Sequence, residues 1–203
     1  MIITVSREYG AAGRAVTRGL AERLGYRLLD EDLPVVVAAR LGTSPEAVES
    51  IEIRQTGFGQ RLLRSLSVAM PEAFAPAPEL EDLAAITQRE IETLIHEAAD
   101  AGEAIVVGRL GNMVLRDRPD VLRVFLIAPL PWRVAHIAES LGIEEPAART
   151  EIARVDGGRR SYARERYDFD WGDPHYYDLV LDVSRFGVEG AIALIDAARG
   201  AIG

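Results

Sequence analysis

The chain of 203 residues contains no cysteine and no lysine, and it has only three histidines. The absence of cysteine excludes disulfides, thiolate nucleophiles and cysteine-based zinc sites. The three histidines are far apart in the sequence (96, 136 and 175), so no histidine metal centre is predicted. Because lysine is absent, all 23 basic residues are arginine, and any cation that contacts a phosphate has to be a guanidinium group. A guanidinium grips phosphate through a planar fork, whereas an ammonium acts as a point charge.

The chain also lacks long apolar runs and an excess of positive charge. No apolar run approaches the roughly 18–20 residues of a membrane span, and the N-terminus has no signal-peptide pattern. The net charge of −9 argues against general nucleic-acid binding, which needs a basic surface. Length and composition suit one soluble globular domain. We therefore expect a single domain over residues 1–203 that is cytoplasmic and binds neither membrane nor nucleic acid.

Short apolar segments alternate with amphipathic ones along much of the chain. Such alternation predicts an α/β fold with a parallel sheet and helices on both faces. The predicted strands are Ile2–Val5, Tyr26–Leu29, Ala104–Val107, Val121–Ile127 and Asp178–Val183.

Residues 33–100 form a predicted helical insert with breaks at Gly57 and Gly59. A first helix is expected over Leu33–Leu41, a loop over Pro71–Glu81, and a long helix after it. The apolar positions of the long helix, assigned to one buried face, are Leu83, Ile86, Ile91, Leu94, Ile95 and Ala98.

The segment between the first strand and the first helix has the features of a phosphate-binding loop. Residues 6–15 carry two glycines and lead directly into the helix, whose unpaired amides and dipole favour an anion. Two glycines also occur in strand–helix turns for steric reasons alone, so the loop by itself leaves both interpretations open.

Several motifs, in order along the chain, resemble the cytidylate kinase-like family. They are Ser-Arg-Glu-Tyr-Gly (6–10), Gly-Arg (13–14), Leu-Leu-Asp (28–30), Ile-Val-Val-Gly-Arg (105–109) and Trp-Gly-Asp-Pro (171–174). The resemblance implies a P-loop kinase-like sheet with a helical acceptor-side insert at about 33–100 and an arginine-rich lid at about 145–170. It also implies a nucleoside monophosphate kinase-like phosphotransferase that uses ATP and Mg²⁺, with CMP or dCMP as acceptor.

Within this resemblance the first loop binds the donor nucleotide. The residues assigned to the donor are Tyr9, Gly10, Ala11, Ala12, Gly13, Arg14, Ala15 and Val16. Arg14 stands where a P-loop has lysine. Val16 lies near the position that usually gives magnesium a hydroxyl, and Thr17 replaces it only if the register shifts by one residue. These departures leave open a nucleotide-binding regulator with weak or no phosphoryl transfer.

The acceptor side and the lid supply the other candidate residues. Arg109 follows a strand directly, where open α/β sheets bind ligands, and the resemblance assigns it to the acceptor together with Asp30 and Asp156. A surface arginine at the end of a strand is the alternative. Asp156 has a second possible role, which is to orient an arginine.

Residues 149–166 carry six arginines and three acidic residues. In P-loop kinases such a segment closes over the transferring phosphoryl group, and Arg154, Arg159 and Arg160 are the predicted members, with Gly157-Gly158 as a point of bending. A solvated helix with paired charges is the alternative. Two roles stay open for Arg133: a contact to adenine or phosphate, or a structural position at the surface. The identity of the acceptor and assembly into a homo-oligomer also stay open.

Overall fold

A five-stranded parallel sheet forms the centre of the protein in a computed structural model, which describes residues 1–30, 33–48, 51 and 78–202. The strands are β1 (Ile2–Arg7), β2 (Arg27–Leu29), β3 (Ala104–Val107), β4 (Val121–Ile127) and β5 (Leu179–Asp182). Their order across the sheet is β2-β3-β1-β4-β5, and each neighbouring pair is parallel. The prediction of a parallel α/β sheet is confirmed.

Helices follow the strands as the alternation predicted. They are α1 (Gly13–Leu24), α2 (Leu33–Leu41), α3 (Pro78–Ala101), α4 (Gly111–Val114), α5 (Leu130–Leu141), α6 (Glu145–Tyr167) and α7 (Val183–Ala201). A 3₁₀ turn spans Pro174–Tyr176 between α6 and β5. Helix α1 ends at the left-handed Gly25, and α7 is kinked at Gly187.

Two apolar clusters cover the two faces of the sheet. Side chains of β1 alternate between them, because successive residues of a strand point to opposite faces. Ile2 packs with α2 and α3, whereas Ile3 and Val5 pack with α1 and α7. With both faces covered, the strands present binding groups only at their ends. The carboxyl ends of β1 and β3 lie side by side, since Val5 is opposite Val107 in the register.

The long helix α3 differs in two respects from its prediction. It begins at Pro78, so the loop predicted over Pro71–Glu81 is wrong for residues 78–81, and the rest of that loop lies outside the described residues. Ile86, assigned to the buried face, is 45% exposed, while Thr87 and Gln88 are buried. The reason is tertiary: Gln88 accepts a hydrogen bond from the hydroxyl of Tyr162 on α6, which turns a polar edge of α3 inward.

The helices of the described segments include none that is long and apolar enough to cross a membrane. The predicted breaks at residues 57 and 59, together with most of the central part of the insert, fall outside the described residues.

Two isoleucines on α3 provide a test of which face holds the helix on the sheet. Ile95 is fully buried in the cluster with Ile2, and Ile86 is largely exposed. We expect Ile95→Ala to lower the free energy of unfolding by about 2–5 kcal/mol, because it leaves a cavity. Ile86→Ala, the matched control, should change it by less than about 0.5 kcal/mol. Urea unfolding measures both, and equal losses would contradict the assignment of the faces.

Candidate functional site at the carboxyl edge of the sheet

The start of α1 leaves backbone amides without a side-chain cap. The N-cap residue Ala12 has left-handed backbone angles (φ 53°, ψ 22°), makes no capping hydrogen bond, and no acidic residue lies in the first turn. Uncapped amides and the positive end of the helix dipole form a site for anions. The local backbone at residues 8–15 therefore has the features expected of a phosphate-binding loop.

The side chains of the predicted donor-binding residues are divided between core and surface. Ala11, Gly13 and Val16 are buried, Tyr9, Gly10 and Ala12 are partly buried, and Arg14 and Ala15 are exposed. Val16 is part of the apolar cluster under α1 and has no polar atom to offer. Thr17 is fully buried, and its hydroxyl donates to the Gly13 carbonyl at 2.9 Å. Neither side chain gives the loop a hydroxyl ligand for magnesium.

The carboxylate of Asp30 follows β2 at the same edge. Its side chain is 15% exposed, and its Oδ1 lies 3.5 Å from Nη2 of Arg7. Magnesium in nucleotide sites is commonly held by one or two carboxylates, with phosphates and water as the other ligands. Asp30 fits the part of a single protein ligand to a nucleotide-bound Mg²⁺. Within the described segments no group of three acidic or histidine side chains is arranged to hold a metal ion without the nucleotide.

Charged groups from several elements meet around Arg7, which lies beside Asp30. Arg109, directly after β3, donates through Nη1 to the Asp30 carbonyl at 2.9 Å. Arg159 of α6 donates through Nη1 to the Arg7 carbonyl at 2.7 Å. The structure thus brings the predicted residues Asp30, Arg109 and Arg159 to one place, and the positive charge of Arg14 also acts on Arg7. Their binding and catalytic roles remain predictions.

Arg7 is a member of this group that the sequence did not single out as a site residue. It is the last residue of β1, on the same face as Ile3 and Val5, and its side chain is 25% exposed. Burial, followed by the positive charge of Arg159, lowers the pKa of Arg7 from its ordinary value to about 10, while Asp30 acts in the opposite direction. The available signal was a single charged residue at the end of a strand whose other residues are all uncharged.

A buried network of ion pairs holds residues 8–9 of the loop against α5 and α6. Arg133 on α5 is 7% exposed and donates to both Asp156 of α6 (2.6 Å) and Glu8 (3.3 Å). It also donates to the carbonyls of Tyr9 and Ala128, and the Tyr9 amide donates to Asp156 at 2.9 Å. The surface position considered for Arg133 is therefore wrong. Asp156 orients arginines, as one of its two predicted roles required, and its role toward the nucleoside stays a prediction.

Helix α6 carries the predicted lid arginines on different sides. It runs unbroken through Gly157 and Gly158. The Arg159 guanidinium lies about 6 Å from the ring centres of both Tyr9 and Trp171, and Arg160 lies at a similar distance from Trp171. Arg154 instead pairs with Glu151 at 2.6 Å on an exposed surface. Of the three, Arg159 is the one that contacts the base of the loop.

The buried network predicts a difference between two arginines that both form ion pairs. We expect Arg133→Met to lower the free energy of unfolding by about 3–5 kcal/mol, because it leaves the carboxylate of Asp156 buried without its closest partner. Arg154→Met, the control, removes a half-exposed pair and should cost about 1 kcal/mol or less. Denaturant unfolding of both variants measures the difference, and a small loss for Arg133→Met would show that the network does not hold the loop.

Comparison with solved structures supports the fold. An uncharacterized protein from Eubacterium ventriosum has a TM-score of 0.69 at 19% identity, covering 98% of each chain. A shikimate kinase from Bacteroides thetaiotaomicron has a TM-score of 0.51 at 12% identity, covering 98% of this chain and 97% of the kinase. At these identities the comparisons show a shared fold only.

Comparison with sequences points to one family. A cytidylate kinase from Pyrococcus horikoshii is 30% identical over 110 residues, which is 54% of this chain and 56% of that relative, so the match spans little more than half of its length. A cytidylate kinase from Halorubrum lacusprofundi is 26% identical over 97% of this chain and 90% of the relative. The sequence profile of the cytidylate kinase-like family matches residues 2–185. This match covers most of the chain, and the protein therefore belongs to the cytidylate kinase-like family.

Proposed function

We propose that this protein transfers a phosphoryl group from ATP to a nucleoside monophosphate, with CMP or dCMP as the expected acceptor. The observation that carries the proposal is the group of guanidinium side chains around Arg7 and Asp30, beside the uncapped start of α1. A polyphosphate chain supplies the negative charge that such a group binds. The relatives named cytidylate kinase suggest the acceptor.

The proposed reaction is an in-line displacement. An oxygen of the acceptor phosphate forms a bond to the γ-phosphorus of ATP, the bond from that phosphorus to the β–γ bridging oxygen breaks, and ADP leaves with that oxygen. Because the second pKa of a phosphate ester is about 6, the acceptor is mostly deprotonated at neutral pH and needs no general base. Catalysis then depends on positioning and on cations that stabilise the transferring group.

Each part of the site has a proposed role in this reaction. The amides at the start of α1 and the side chain of Arg14 hold the donor phosphates. Arg109 and Asp30 face the acceptor, and Arg159 reaches the site from α6. Magnesium, when bound with the nucleotide, neutralises phosphate charge, and Asp30 is the carboxylate that would hold it. The lid roles of Arg154 and Arg160 require a movement of α6.

A panel of acceptors tests the proposed function. We expect purified protein with ATP and Mg²⁺ to form ADP in the presence of CMP or dCMP faster than with AMP, GMP or UMP, measured by a coupled assay. Turnover with a different small phosphate or hydroxyl acceptor alone would replace the proposed substrate. Absence of turnover with every acceptor would remove the kinase assignment.

Replacement of Arg109 tests the acceptor side. We expect Arg109→Ala to weaken CMP binding by about 10- to 100-fold, the size of one lost charge-assisted hydrogen bond, with ATP binding changed less. Arg116→Ala is a matched control, because Arg116 is exposed and pairs with Asp117 at the surface. Calorimetric titration measures both affinities. Unchanged CMP affinity in Arg109→Ala would contradict the assignment of this residue.

A second candidate function is a nucleotide-binding regulator with weak or no transfer. The observation that favours it is that neither residue at the expected magnesium position offers the loop a hydroxyl, since Val16 is apolar and Thr17 bonds within its own helix. Tight binding of ATP and a monophosphate without formation of ADP would distinguish the regulator from the kinase.

A further inference from the structure

The side chain of Arg7 lies in a slot that two glycines leave open. A Cβ atom placed on Gly13, at the start of α1, would lie 2.7 Å from Cγ of Arg7. A Cβ atom on Gly108, after β3, would lie 2.5 Å from Nη1 of Arg7. An alanine at Gly13 would collide with the stem of the arginine, and an alanine at Gly108 would displace its guanidinium. The stem of Arg7 thus passes beside the phosphate-binding loop, and its guanidinium lies at the end of β3.

The position of this guanidinium differs from that of Arg14. Arg14 is exposed in the first turn of α1, on the donor side. The guanidinium of Arg7 lies next to Gly108, and its Nη2 is 3.5 Å from Asp30, whose carbonyl accepts from Arg109. It therefore lies between the loop proposed to hold the donor and the residues proposed to face the acceptor.

Among the residues that the structure describes, most of the charges that act on Arg7 have its own sign. Arg159, Arg109 and Arg14 all disfavour its positive charge, and Asp30 opposes them from a distance longer than a good hydrogen bond. A partly buried cation that is repelled by three others gains free energy when an anion enters among them.

We propose that Arg7 contacts the terminal phosphate of the donor and takes the place that lysine has in the usual loop, with Asp30 as its partner until the nucleotide binds. This inference rests on the proposed function and goes beyond it, because it assigns the cation at the transfer point to β1 instead of α1. It also gives Gly13 and Gly108 a steric reason that is independent of the nucleotide.

Binding of ATP, ADP and inorganic tripolyphosphate to the full chain tests the inference. In calorimetric titrations we expect Arg7→Met, which keeps an unbranched stem, to weaken the binding of ATP and tripolyphosphate by about 10- to 100-fold. The affinity for ADP should change by less than about threefold, because ADP lacks the terminal phosphate. Arg7→Lys, which restores a point charge, should recover part of the ATP affinity. Arg18→Met, on the exposed side of α1, is the control and should bind all three like the parent.

The thermal midpoint separates a binding role from a structural one. Because Arg7 is repelled by its neighbours, Arg7→Met should unfold at the parent's temperature or above. A lower midpoint with equal losses for ATP and ADP would show a structural role and overturn the inference.

The remaining outcomes separate this inference from the proposed function. Parent-like ATP binding by Arg7→Met overturns the inference and leaves the kinase assignment in place. Tripolyphosphate binding that is lost in Arg7→Met, in a parent that binds no nucleotide, supports the inference and overturns the assignment. No binding of any of the three by the parent overturns both.

Discussion

The ion pair between Arg133 and Asp156 is the contact on which the arrangement of the site depends. Its 2.6 Å separation joins α5 to α6 beneath the loop, and the same two residues bind the carbonyl and the amide of Tyr9. Two buried charges are costly unless they are paired and hydrogen-bonded. Here the arginine also donates to Glu8 and Ala128, so the pair fixes the loop, the end of β4 and two helices together.

A chain without lysine has to supply the cations of a phosphate site from guanidinium groups, which are planar and are carried on long side chains. Guanidinium groups reach from separate elements and need several acceptors each, so carboxylates and carbonyls have to be arranged around them. Asp30 faces Arg7 and Arg109, and Asp156 faces Arg133 and Arg159. Arg159 belongs to both groups, because it donates to the Arg7 carbonyl as well. The group that includes Asp30 lies at the edge of the sheet, and the group that includes Asp156 supports it.

Local patterns in the sequence were sufficient for the parallel sheet and for the bounds of one helix. Apolar strands and the glycine after α1 are local signals, and helix α2 was predicted with its observed bounds. The buried face of α3 was not predicted correctly, because a hydrogen bond from Tyr162, 74 residues away, holds Gln88 inward. The same limit applies to the site. Asp30 and Arg109 were named from motifs and Arg159 from the arginine-rich segment, but the role of Arg7 depends on Gly13 and Gly108, and the burial of Arg133 depends on α6. No spacing in the sequence shows such contacts.

The turn after β3 links the site to the core through backbone geometry. Gly108, Arg109 and Leu110 all have φ between 50° and 70°. For a residue with a side chain this conformation costs about 1–2 kcal/mol. Leu110 is held in it by packing against Phe125, Trp171 and Tyr177. Loosening this aromatic cluster would let the turn relax toward ordinary angles and carry Arg109 away from Asp30. Changes in the cluster would thus reach ligand binding without touching any residue that meets the ligand.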